Sequence, residues 1–201
     1  TIIVTYLPAG AASALYYADR LYQLPVGVIG IAAGTVLLPE MSRLIASGQA
    51  GKAHGAQNRA MGFTLVLAAP FLAGFLAVPD LIIAGLFQRG QFSAAAAFEA
   101  SQVLMAYTIG LPAILLIRSA VASFTARGDT RTPLWASLTA IGCNLALKLV
   151  LTPRMGAAGL AFATAIGAWV NLAILWGLAS HQGKAAPDGA LGRMPLGASG
   201  G

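Results

Sequence analysis

The segment SALYYADRLYQLP, residues 13–25, combines an arginine, an aspartate, tyrosines and an amide with apolar residues. Helical spacing places most of its polar side chains on or beside one face: Ser13, Tyr16, Tyr17, Arg20 and Gln23. A guanidinium group binds phosphate oxygens through paired N–H groups and stays charged when it loses water. The segment therefore predicts a binding site for an anionic phosphate group.

The residues alone leave two interpretations of Arg20 open. Since Arg20 lies near one end of its predicted helix, it could extend to lipid headgroups while Tyr16 and Tyr17 form an aromatic belt. Asp19 favours the binding interpretation, because an anchoring arginine needs no acid beside it. We expect Asp19 to pair with Gln23, four residues further on, and to hold Arg20 or couple to an ion.

Two further cations lie in apolar stretches. Arg118 has no acid within four residues and is either an interfacial arginine or a second contact for the anion. Lys148, which is close to Arg154, is interpreted as an anchor. Asn144 and Asn171 are predicted to form hydrogen bonds between helices.

Other kinds of chemistry find no support in the sequence. His54 and His181 have no acid or cysteine at metal-ligand spacing, and no GxxxxGK[ST] phosphate loop is present. The chain has only 6 acids, none placed as a catalytic pair, and its 12 basic residues are scattered singly. We expect no enzyme activity, no metal, no cofactor and no nucleic-acid partner.

The composition indicates the elements that must position the polar segment. Charged residues make up 9% of the chain and hydrophobic residues 58%, too little polar surface for a soluble domain. Continuous apolar runs favour helices over a transmembrane barrel. The predicted spans are 1–7 (partial), 13–38, 60–79, 95–125, 132–152 and 157–180, and 182–201 is predicted to be a disordered cytoplasmic tail.

The connectors predict the orientation of the spans. The segment 42–59 carries three basic residues and no acid, and its core reads as a polar linker. Basic residues also exceed acids in 126–132. Because cytoplasmic loops are enriched in lysine and arginine, both connectors and the tail are predicted to be cytoplasmic.

The ordered motifs of the chain resemble the MurJ/MviN family of lipid II flippases. The resemblance is strongest in YYADRLYQLPVGVIGIAAGTVLLPEMSRLIASG at 16–48. It continues with LFQRGQFS at 86–93, AYTIGLPA at 106–113 and FTARGDTRTP at 124–133. This order implies a piece that starts inside the seventh of the family's fourteen spans and ends after the twelfth, without the N-terminal lobe.

The resemblance also implies a fold and a function. The fold would be an all-α integral membrane bundle, the second lobe of a multidrug-exporter-like transporter of the MOP superfamily. The function would be alternating-access movement of lipid II, the undecaprenyl-pyrophosphate-linked peptidoglycan precursor, across the bacterial inner membrane. The Asp-Arg pair that faces the family's cavity corresponds to Asp19 and Arg20, and Gln23 replaces an acid that some members have.

The partners implied are lipid II, membrane lipids and the N-terminal lobe of the same protein. The substrate-binding residues predicted are Ser13, Tyr16, Asp19, Arg20, Gln23 and Arg118. Two alternatives stay open: export of another polyprenyl-linked oligosaccharide, and a membrane fragment that does not transport. The motifs argue against drug export but do not identify the glycan.

Overall fold

The computed structural model describes residues 9–87 and 94–185 of the chain. Its helices are α1 (Ala9–Ala46), α2 (Ala50–Ala77), α3 (Pro79–Phe87), α4 (Ala94–Ala126) and α5 (Arg131–Ala185). Within the described ranges, four helices are long and apolar enough to cross a membrane: Ala12–Ala46, Gly51–Ala77, Ala94–Ala126 and Arg131–Ser180. Helices suit such apolar runs because they satisfy their own backbone hydrogen bonds without water.

Helix α5 consists of two arms that fold against each other, an N-terminal arm (131–155) and a C-terminal arm (157–185). They separate at Gly156, where φ is 57° and ψ is −134°. Glycine reaches this region without the steric cost that a Cβ imposes. The Asn144 Nδ2 atom donates to the Ala163 carbonyl at 3.2 Å, which joins the two arms. The break therefore lies inside the connector predicted between 132–152 and 157–180.

The polar linker predicted at 42–59 is wrong over most of its length. Helix α1 continues to Ala46 and α2 begins at Ala50, so only a short turn separates them. Gly48 makes the turn with φ of 74°, and the Gln49 N–H donates to the Leu44 carbonyl at 2.9 Å. The segment is rich in alanine and other good helix formers and has no proline, so the helices extend beyond their apolar parts.

A similar glycine turn joins α4 to α5. Gly128 has φ of 77°, and the Asp129 N–H donates to the Phe124 carbonyl at 3.0 Å. Ala122 of α4 belongs to the same buried cluster as Met41 of α1 and Ala53 of α2. The two turns therefore lie at one end of the bundle, as their predicted shared placement in the cytoplasm requires.

The structure contains one helix that the sequence does not predict, and parts of the predicted span pattern lie outside the described residues. The sequence predicts no helix over 79–87, where α3 lies. The partial span 1–7 and the connector 88–93 lie outside the described residues. Helix α5 continues to Ala185, into the predicted tail 182–201, the rest of which is also outside the described residues.

Helix α4 is the centre of the bundle and packs against all four other helices. It approaches the C-terminal arm of α5 closely at Gly110. A Cβ atom on Gly110 would lie only 2.7 Å from the Cα atom of Ala165. The Trp169 Nε1 atom also donates to the Ile109 carbonyl at 2.9 Å. Small residues thus allow the two backbones to approach closely where apolar burial gives no extra driving force.

This close approach predicts different effects for two glycine substitutions, one at the contact and one away from it. Gly110→Ala should lower the unfolding free energy in detergent by about 1–3 kcal/mol, because the added methyl group forces the helices apart. Gly142→Ala should leave it unchanged or raise it by about 0.5–1 kcal/mol, since nothing lies within 4 Å of a Cβ there and alanine favours the helix. Equal unfolding midpoints for the two variants would contradict the packing described.

Candidate functional site

The polar segment of α1 forms a stripe on the outer surface of the described bundle. Its exposed members are Ser13, Tyr16, Arg20 and Gln23, and Asp19 beside them is half-buried. Further along the same face the exposed side chains become apolar: Leu24, Val28 and Ile31. The helix therefore presents a polar patch, here called the α1 polar stripe (Ser13, Tyr16, Asp19, Arg20 and Gln23), at one end of an apolar face.

The opposite face of α1 holds the stripe in place. Ala14, Ala18 and Leu21 are buried in the main apolar core of the bundle. The Tyr22 ring stacks on the Tyr107 ring of α4, with centroids 5.1 Å apart. Because this side of α1 is packed against α4, the polar side chains are directed away from the core.

Within the α1 polar stripe the side chains form two pairs. The Arg20 Cζ atom lies over the Tyr16 ring, 5.0 Å from its centroid, and Tyr16 is 55% exposed. The Gln23 amide donates a hydrogen bond to the Asp19 carboxylate, which confirms the predicted i, i+4 pair. The cation–π contact orients the guanidinium and leaves its N–H groups available for an anion. The binding roles of these residues stay predictions.

Tyr17 belongs to a different environment from Tyr16. Its ring packs against the Phe87 ring of α3, with centroids 4.6 Å apart and an interplanar angle of 39°. Tyr17 is half-buried, whereas Tyr16 is exposed. Of the two tyrosines, Tyr16 is thus the more exposed, and its ring is the one under Arg20.

Arg118 belongs to α4, and its side chain contacts α1 beyond the polar stripe. Its side chain crosses Gly30: a Cβ atom there would lie 2.6 Å from both the Cδ and the Nε atom of Arg118. Ten residues of helix separate Gly30 from Arg20, a distance of about 15 Å along the axis. The structure therefore brings together the five residues predicted in α1 but places Arg118 at a second position.

Arg118 lines a cavity of about 620 Å³ between α4 and the two arms of α5. The other polar residues of its lining are Ser137, Asn144, Lys148, Thr164 and Asn171. This Arg118–Lys148 cavity is not predicted from the sequence, where Lys148 is interpreted as an anchor. A signal was present in the spacing of Ser137, Asn144 and Lys148, which repeats on one helix face.

The two asparagines of the cavity differ in their hydrogen bonds. Asn144 bonds across the arms of α5, as predicted, and the absence of a side chain at Gly167 permits this arrangement: a Cβ there would lie 2.9 Å from Asn144 Nδ2. The Oδ1 atom of Asn171 is buried and has no hydrogen-bond partner in the described part of the chain. Asn171 thus leaves an acceptor available at the cavity.

A family profile and individual relatives that match this chain all carry the same family name. Residues 1–193 match the family profile described as "Lipid II flippase MurJ". A protein of Rhizobium meliloti named "Probable lipid II flippase MurJ" is 44% identical over 167 residues, which are 83% of this chain and 31% of that protein. The "Lipid II flippase MurJ" of Burkholderia cenocepacia is 31% identical over 176 residues, covering 88% of this chain and 34% of the relative.

A solved structure has the same fold. The "Lipid II flippase MurJ, inward closed conformation" superposes with a TM-score of 0.79 at 28% identity, over 89% of this chain and 38% of that one. The predicted all-α, multi-pass membrane fold is confirmed by this similarity and by the apolar helices. The chain spans about a third of the length of the curated relatives it matches.

Proposed function

Because the chain belongs to the lipid II flippase MurJ family, we propose that it acts in moving lipid II from the cytoplasmic to the outer leaflet of the bacterial inner membrane. The proposed activity is translocation by alternating access, without a catalytic step. The proposed partners are lipid II, the surrounding membrane lipids and an N-terminal lobe of the same protein that forms the opposite wall of the substrate path.

The observation that carries this proposal is the α1 polar stripe. A membrane-length helix of a flippase family exposes Arg20 over the Tyr16 ring, beside the paired Asp19 and Gln23. Exposing such groups in hydrocarbon costs free energy unless they face water or a polar ligand. We therefore assign the stripe to the substrate path and not to the lipid-facing surface.

The chemistry of the stripe suits the head of a lipid-linked precursor. A pyrophosphate loses its hydration in the membrane, and a cationic surface can replace that hydration with direct hydrogen bonds. We propose that Arg20 contacts the pyrophosphate and that Tyr16 holds the guanidinium in position. In the same proposal, Ser13 and Gln23 contact neighbouring polar groups, Asp19 orients Gln23, and Arg118 forms a later contact along the path.

The proposal is tested in cells whose own lipid II flippase is depleted. Expression of the intact protein should restore growth and lower the lipid II that accumulates on the cytoplasmic side. The measurement is lipid II content, alongside that of other polyprenyl-linked oligosaccharides. Growth failure with lipid II still accumulating, despite normal membrane abundance, would contradict the proposal. Relief of a different glycan would instead support export of another polyprenyl-linked oligosaccharide.

A further inference from the structure

The Arg118–Lys148 cavity is an open pocket lined by two cations, an exposed arginine and a half-buried lysine. Arg118 comes from α4 and Lys148 from the N-terminal arm of α5, and both line the same space of about 620 Å³. Among the described residues that line it, none is an aspartate or a glutamate. The described part of the wall thus carries two formal positive charges and no carboxylate.

This charge pattern favours an anionic ligand. Like charges repel more strongly in a membrane bundle than in water, because the surroundings screen them less. A bound anion removes the repulsion and replaces the water that the cations lose. Arg118 offers a planar fork of N–H donors, and Lys148 offers a mobile ammonium group, a combination suited to phosphate oxygens.

The remaining polar groups indicate a ligand that also carries donors. The Asn171 Oδ1 atom is buried with no hydrogen-bond partner among the described residues, so it can accept from a hydroxyl or amide N–H. Thr164 and Ser137 add hydroxyl groups to the same wall. The apolar members of the wall, such as Ile114, Ile117 and Ile141, fit an adjacent hydrocarbon portion.

We propose that this cavity is a second binding site, selective for a phosphate ester carried by a lipid, with Arg118 and Lys148 as its cationic contacts. With a polyprenyl pyrophosphate as ligand, the site rests on the proposed function and extends the later contact proposed for Arg118, whereas with an anionic phospholipid it is independent of that function. It is also separate from the α1 polar stripe, since Gly30, beneath Arg118, lies about 15 Å along α1 from Arg20. A polyprenyl pyrophosphate and an anionic phospholipid are the two sources of this chemistry.

Binding to the purified intact protein tests the proposal without a transport assay. In the first experiment, inorganic pyrophosphate is titrated into the protein in detergent and binding is measured by calorimetry. In the second, native mass spectrometry counts the phosphatidylglycerol and phosphatidylcholine molecules that the protein retains from mixed bilayers. The variants are Arg118→Ala and Lys148→Ala. The control is Arg154→Ala, which removes an exposed cation of α5 that does not line the cavity.

Each cavity variant should weaken binding by about tenfold or more, because a hydrogen bond to a charged group is lost, while Arg154→Ala stays within about twofold. Weaker pyrophosphate binding by the cavity variants identifies a pyrophosphate site. A loss of retained phosphatidylglycerol alone identifies a phospholipid site. The proposal would be overturned if both cavity variants bound as the wild type does in both experiments, or if Arg154→Ala weakened binding as much as they do. Failed transport with intact cavity binding would count against the proposed function only.

Discussion

Arg20→Ala should reduce lipid II transport by roughly 100-fold or more while membrane abundance stays normal. The proposed contact is a paired interaction of the guanidinium with phosphate oxygens, and each charge-assisted hydrogen bond contributes about 1.5–3 kcal/mol. Arg20 is exposed and its guanidinium lies over the Tyr16 ring, outside the buried core, so its removal should leave the core of the bundle intact. The measurement is the rate of lipid II movement in flippase-depleted cells that express the variant.

Arg20→Lys separates binding from anchoring, the two interpretations left open by the sequence. A lysine reaches the membrane interface as well as an arginine does, so an anchoring role predicts wild-type transport. A binding role predicts a strong loss, because an ammonium group lacks the planar fork. Lys52→Ala removes an exposed cation from the start of α2 and should keep wild-type rates. Wild-type transport by Arg20→Ala would contradict the role assigned to this residue.

Gly30→Leu should lower transport about tenfold by displacing Arg118 rather than by removing it. Even a Cβ added at Gly30 would lie 2.6 Å from the Arg118 Cδ and Nε atoms, and a larger side chain would occupy more of that space. Overpacking costs about 1–3 kcal/mol unless the flexible arginine moves aside. We expect the arginine to leave its position, so Gly30→Leu and Arg118→Ala should have similar transport rates.

Two comparisons make this prediction specific. Gly27→Leu lies on the same helix, where nothing is within 4 Å of a Cβ, and should keep most of the transport rate. The double variant of Gly30→Leu with Arg118→Ala should transport no more slowly than Arg118→Ala alone, because both changes remove the same contact, the one made by Arg118. Multiplied losses in the double variant, at normal abundance, would show that Gly30 acts independently of Arg118.

The helical membrane architecture could be predicted because it depends on local composition. The uncharged run that predicts a span at 60–79 lies largely in α2, and the break predicted between 152 and 157 coincides with Gly156. The polar stretch 42–59 is helical for most of its length. Charged residues limit the part of a helix that lies in the hydrocarbon, but they do not end the helix itself. Helix α1 continues through Arg43, Leu44 and Ala46, which are good helix formers, and ends before Gly48.

The α1 polar stripe could also be predicted, since its residues lie within a few turns of one helix. The Asp19–Gln23 pair follows from i, i+4 spacing. The position of Arg118 could not, because its contact with Gly30 joins residues of α1 and α4 that are distant in sequence. The grouping of Arg118 with Lys148 likewise depends on how α5 folds back at Gly156.

The most direct test of the central claim is lipid II movement in vesicles that contain only the intact protein. Labelled lipid II is placed in one leaflet, and its appearance in the other is followed with a quencher that does not cross the membrane. We predict faster movement with the wild-type protein than in protein-free vesicles, and a rate near the protein-free value with Arg20→Ala. Equal rates for wild-type protein, Arg20→Ala and protein-free vesicles would contradict the account.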